Sequence, residues 1–141
     1  MRKINKIIIH AADTFPDMDI GAKEIRKWHT DPKPDGNGWS DIGYHYVIRR
    51  DGTVELGRRE EIPGAHVYGH NHDSIGICLV GGKPAIAGGV SCNYTLRQWV
   101  SLQDLVSNLE GRYPHAEVVG HNNFTNAKTC PNFDVKAWWY G

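Results

Sequence analysis

Residues 4–10, INKIIIH, place three isoleucines in succession before a histidine. Side chains of a strand point alternately to opposite faces, so a β-branched run with no polar alternation reads as a strand buried on both sides. Residues 74–82, SIGICLVGG, form a second such run closed by glycines, and read as a central strand. A chain holding two strands of this kind needs a sheet that is covered on both faces. That requirement sets the architecture more firmly than any other part of the sequence.

The intervening segments supply the cover. From Ala22 the apolar residues Ala22, Ile25 and Trp28 fall three apart among lysines and arginines, the mark of an amphipathic helix of about three turns. TDPKPDGNG, residues 30–38, stops it with two prolines and two glycines. YHYVIRR, residues 44–50, and TVELGR, residues 53–58, flank Asp51-Gly52, a strong hairpin signal. Alternation there puts Tyr44, Tyr46 and Ile48 on one face and His45, Val47 and Arg49 on the other. Residues 81–93 are Gly-rich and read as a loop. Thr95 with Gln98 makes a capping box, and Trp99, Leu102, Leu105, Val106 and Leu109 then form a helical core stripe. EVVGH, residues 117–121, is a short strand, and DVKAWW, residues 134–139, a closing helix. The order β-α-β-β-β-α-β-α predicts an α/β fold: a single domain, 1–141, with a central mixed β-sheet flanked by helices.

Lys+Arg and Asp+Glu balance at 16 each, which leaves no basic footprint of the kind that dominates nucleic-acid binding. No apolar run approaches the ~18 residues of a membrane span, so no stable membrane association is expected. Basic residues precede Ile7-Ile8-Ile9 as in a signal peptide, yet the apolar part is shorter than the ~7–15 residues such a leader needs. We read it as the first strand and expect a chain made in the cytoplasm without a signal peptide. Three cysteines, Cys78, Cys92 and Cys130, are an odd count without regular spacing and argue against a disulfide framework.

The chemistry-bearing segment is HNNFTNAKTCP, residues 121–131, which gathers His121, Lys128 and Cys130. His10 and His121 both close a strand and are placed to meet at one end of the sheet. Two imidazoles and a thiolate make a three-ligand zinc set with its fourth position open, and a nearby cation or metal favours the thiolate. Spacing alone leaves a zinc site and unrelated buried side chains both open. HVYGHNH offers a rival local cluster of His66, His70 and His72, with no cysteine or carboxylate of matching geometry close behind. His29 reads as a surface histidine at a helix C-terminus, His115 as an exposed loop residue, and Cys78 as a small buried hydrophobe.

The stretches IRKWH, GYHYVIRRDGTVELGR, HNHDSIGICLVGG and KTCPNFDVKAWW resemble, in collinear order from about residue 6 to 139, the zinc amidases of small phage lysins. These are N-acetylmuramoyl-L-alanine amidases of the T-odd coliphage lysozyme type, with peptidoglycan recognition proteins as more distant relatives. The resemblance implies that His10, His121 and Cys130 hold one Zn2+, that Tyr44 and Lys128 are catalytic, and that His66 belongs to the substrate-binding cleft. It departs from the coliphage pattern at Asn122 and His70, where a histidine and a tyrosine are expected, and in a loop before Lys128 that is one residue longer.

The implied activity is hydrolysis of the amide between N-acetylmuramic acid and L-alanine in bacterial peptidoglycan, by a monomeric phage or prophage endolysin acting in the periplasm or cell wall. A non-cutting peptidoglycan-binding module is the first rival, and such relatives lack the cysteine found here at 130. A glycosidase would need two carboxylates flanking its bond, and no compelling acidic pair is present. RNA polymerase inhibition, known in the coliphage relative, is a possible added function that the resemblance does not carry over.

Overall fold

The computed structural model describes residues 2–141. Its elements are β1 (Lys6–Ala11), α1 (Ala22–Thr30), β2 (Tyr46–Ile48), β3 (Val54–Leu56), β4 (Ser74–Leu79), α2 (Leu96–Arg112), β5 (Glu117–Gly120) and α3 (Val135–Tyr140), in the order the sequence predicts. They build one five-stranded sheet ordered β3-β2-β4-β1-β5. β1 runs parallel to both β4 and β5, and β2 is parallel to β4. Only β3 is antiparallel, as the second arm of the hairpin with β2. Gly52 turns that hairpin with φ +88, a value few L side chains adopt.

The double-sided burial of β1 and β4 follows residue by residue. Ile7, Ile9, Ile75, Ile77 and Leu79 face the core under α2, where they meet Leu102, Val106 and Leu109. Cys78 and Val80 point the other way, towards Ala22 and Ile25 of α1. Ile8 packs with Val67 and Val119 and against Phe124. Thr95 and Gln98 form the expected capping box, with Gln98 N donating to Thr95 Oγ1 over 3.1 Å and Thr95 N to Gln98 Oε1 over 3.0 Å. Gln98 does more than cap. It is fully buried, and its Nε2 donates to the carbonyls of Ile48 and Val80, which ties α2 to the ends of β2 and β4.

Two expectations need correction. Tyr44 does not share a face with Tyr46 and Ile48: β2 begins only at Tyr46, and Tyr44 packs with the α1 core while Tyr46 and Ile48 face α2. The backbone bends through residues 43–45, where Ala65 N donates to Gly43 O and Arg58 N to Tyr44 O. Strand alternation does not survive such a bend. His29 is likewise no simple surface residue. Its Nδ1 accepts from the Gly43 amide over 3.0 Å, and its ring lies against Trp39 and Tyr44. His115 is exposed and Cys78 buried, as expected.

Candidate active site

His10 is the penultimate residue of β1, on the face opposite Ile9, and is almost wholly buried. His121 follows β5 in a short 3-10 turn. Because β1 and β5 are adjacent and parallel, their ends bring the two imidazoles together, with ring centroids 4.8 Å apart. Cys130 arrives from the loop after β5, and its Sγ accepts from the Ala11 amide over 2.9 Å. One nitrogen from each histidine and the sulfur lie within 4.8 Å of one another, the one such group of three or more found among the described residues. The HVYGHNH cluster does not converge. His70 stacks on Phe124, and His72 is exposed beside Asp73.

The loop from His121 to Phe133 is held shut by its own polar side chains. Asn122 N donates to Cys130 O over 2.8 Å, and Asn122 Nδ2 reaches the carbonyls of Thr129 and Phe133. Asn132 Nδ2 donates to Gly82 O, and Tyr94 Oη to Pro131 O, each over 2.8 Å. The last two bonds pin the loop to Gly82, just past β4, and to Tyr94, just before α2. Neither Asn122 nor Asn132 carries a sequence signal for this role, since polar loop residues are ordinary.

The cleft over this group has a volume of about 370 Å³, and its lining includes Tyr44, His66 and Lys128 together with His10, His121 and Cys130. All six residues singled out in the sequence therefore meet in one place. Tyr44 lies 5.2 Å from His10 between ring centroids. Asp13, which the sequence reading passed over, also lines the cleft and adopts φ 58, an uncommon conformation for a residue other than glycine. A larger cavity of about 630 Å³ lies between Arg2, Tyr46 and Arg112. It has no group of metal donors among the described residues, and the Glu60 carboxylate already neutralises part of its basic lining.

Burial governs the protonation of the cleft. It pushes the His10 pKa well down, with help from the neighbouring His66 and His121 imidazoles. Burial, then the Lys128 charge, also lowers His121. The Cys130 thiol is pushed up to about 11 by burial, against the opposing pull of the Ala11 amide and Lys128. Lys128 alone therefore does not make the thiolate. A bound metal would, because coordination deprotonates a thiol outright. Neutral imidazoles and a sulfur already pre-positioned by an amide fit a zinc ion in both donor type and number. Tyr44 is raised well above its ordinary value by burial and then by Cys78 and Cys130.

A family profile described as N-acetylmuramoyl-L-alanine amidase matches residues 1–133. The endolysin of Escherichia phage T7 is 44% identical over 133 residues, covering 94% of this chain and 83% of that protein. The endolysin of Klebsiella phage KP32 is 42% identical over 138 residues, covering 98% of this chain and 87% of its own length. Among solved structures, the N-acetylmuramoyl-L-alanine amidase LysC from Clostridium intestinale superposes with a TM-score of 0.79 at 27% identity, covering 99% of this chain and 87% of that one.

Proposed function

The chain belongs to the Amidase_2 family of N-acetylmuramoyl-L-alanine amidases, and from that premise we propose that it is a zinc-dependent endolysin whose reaction is carried by His10, His121, Cys130, Tyr44 and Lys128. It is a peptidoglycan-cleaving amidase of the phage type. The bond cut is the amide joining the lactyl group of N-acetylmuramic acid to L-alanine. We propose residues 1–141 as one catalytic domain working as a monomer. It would be made in the host cytoplasm and would act on peptidoglycan in the periplasm or cell wall.

The observation that carries the zinc reading is the convergence of two imidazoles and one thiol from β1, the end of β5 and the following loop. His10, His121 and Cys130 would hold the ion and leave a position open towards the cleft. Zinc, when bound there, supplies Lewis acidity that polarises a carbonyl and acidifies water near neutral pH.

The chain's own residues supply the rest. Lys128 is exposed at the cleft wall, where its ammonium would stabilise negative charge building on the scissile amide oxygen. Tyr44 lines the same cleft, where its hydroxyl would orient the attacking water and pass a proton during the reaction. His66 forms part of the wall beside which the substrate would lie. Digestion of purified cell walls tests the reading. Alanine amino termini should appear with no new reducing sugar ends, and metal analysis should give one zinc per chain. New reducing ends without free amines would refute it.

A further inference from the structure

We infer that His66 is a positioning residue that fixes the tautomer and ring orientation of His10, so that His10 offers its Nδ1 to the metal. The inference rests on the zinc reading above and concerns which nitrogen of His10 serves it. His10 Nε2 lies 2.8 Å from His66 Nδ1, and the two rings meet edge to face at 86°. An sp² nitrogen engaged in a hydrogen bond of that length has no lone pair free for a cation, so the nitrogen left to His10 is Nδ1. For Nδ1 to carry a lone pair, the proton must be on Nε2, and His66 Nδ1 must accept it. His66 then carries its own proton on Nε2, which lies 3.2 Å from the buried Ser74 Oγ, an acceptor. The chain His10 Nε2–H to His66 Nδ1, and His66 Nε2–H to Ser74 Oγ, is the one assignment that satisfies all three groups and leaves a ligand nitrogen. Ligand histidines are commonly oriented through the ring nitrogen that does not touch the metal.

The surroundings hold the His66 ring in that pose. A Cβ on Gly76 of β4 would lie 2.8 Å from His66 Cγ, Nδ1 and Cδ2, and one on Gly64 would lie 2.7 Å from Cδ2. The two glycines let the ring lie against bare backbone, with the His45 ring edge-on to it at 5.9 Å between centroids. Asn71 Oδ1 accepts from the amides of both His66 and Val67 over 2.9 Å, which anchors the loop that carries the ring. A residue whose one task was to touch substrate would keep its nitrogens open to the cleft, whereas both nitrogens of His66 are engaged inside the protein.

The test measures zinc affinity by competition with a chromogenic chelator, beside steady-state kinetics and nitrogen NMR of the histidine rings in the zinc-loaded wild type. His66→Phe should weaken zinc binding about 10- to 100-fold, the usual effect of removing a ligand's orienting partner. His66→Asn, whose carboxamide oxygen can accept near the Nδ1 position, should restore most of it. In the wild type the NMR signals should show His10 protonated at Nε2 and His66 protonated at Nε2, a readout that requires no variant to fold. Unchanged zinc affinity in a folded His66→Phe with only a raised KM would overturn the inference and leave His66 a substrate contact. A wild-type spectrum with His10 protonated at Nδ1 would overturn it as well. A wild type that takes up no zinc would instead sink the zinc reading, and the inference with it.

Discussion

The amide of Ala11 donates to the Sγ of Cys130 over 2.9 Å, joining the end of β1 to a loop 119 positions away. On the proposed reading the sulfur has two separable tasks, accepting this bond and holding zinc. Cys130→Ser keeps an acceptor near the same amide but removes the thiolate, while Cys130→Ala removes both. Both variants should lose stoichiometric zinc and activity, since an open site with three protein ligands has none to spare. Cys130→Ala should also lose about 1 kcal/mol of stability to the unpaired amide, and Cys130→Ser less. Metal analysis with thermal melts of the metal-free proteins checks both parts, and full zinc retention in either variant would rule out the ligand set.

Stability at low pH should depend on Glu60. Its carboxylate accepts from Arg112 Nη1 and Nη2 over 2.8 and 3.0 Å, from Tyr113 Oη over 2.7 Å and from Tyr46 Oη. Burial alone would raise its pKa, but the bonds from Arg112, Tyr46 and Tyr113 bring it down to about 2. A carboxylate whose folded pKa is depressed contributes stability that is complete above its unfolded value. That contribution is lost as pH falls from there through the folded value. The loss should therefore run from about pH 4.5 towards pH 2 and amount to about 1–2 kcal/mol, allowing for solvent screening at the half-exposed Arg112. Glu60→Gln should be destabilised at neutral pH by about that amount and show a flatter stability profile across the window. An identical profile for variant and wild type would count against the argument.

The element order was legible because β1 and β4 carry continuous apolar runs and α2 carries a five-residue stripe, patterns long enough for their period to be read directly. Convergence of His10 with His121 was legible for a related reason, since parallel neighbouring strands bring their C-terminal ends to one edge. The position of Tyr44 was not legible from alternation, because the bend at residues 43–45 is set by Ala65, Arg58 and the His29 nitrogen, none of them adjacent in sequence. His66 was legible as a cleft residue only through family resemblance. Its contact with His10 spans 56 positions and depends on two glycines whose value is the space they leave. The Glu60 cluster left no trace, since a Glu-Glu pair beside two arginines reads as solvated charge.

Gln98 should prove costly to replace. It satisfies the Thr95 amide, the Ile48 and Val80 carbonyls and Arg50 Nη1 at once, from a fully buried position. Gln98→Leu conserves much of the volume but strands several buried polar groups, which should cost about 2–4 kcal/mol. Arg97→Leu, on the exposed neighbouring position of α2, should stay near the ±0.5 kcal/mol typical of surface changes. Denaturant melts of the pair separate a network role from simple helix propensity, and equal midpoints would refute it.

Lys128 tests the assignment of roles within the cleft. It is exposed and lines the wall beside His121 and Cys130, and the Asn122 bonds to Cys130, Thr129 and Phe133 fix the loop it stands on. If its ammonium stabilises charge that develops on the amide oxygen, Lys128→Ala should keep one zinc per chain and lower kcat about 100- to 1000-fold. KM should move much less, because the interaction strengthens as the transition state forms. Lys128→Arg should rescue poorly, since a planar fork on a longer stem cannot place its charge where a compact ammonium does. Asn122→Ala, which frees the loop without touching any charge, should lower kcat by a smaller factor and leave the rank of Lys128→Ala and Lys128→Arg unchanged. A Lys128→Ala enzyme with zinc intact and a near-normal rate on peptidoglycan would show that this lysine faces solvent during turnover and that the oxyanion is stabilised by another group.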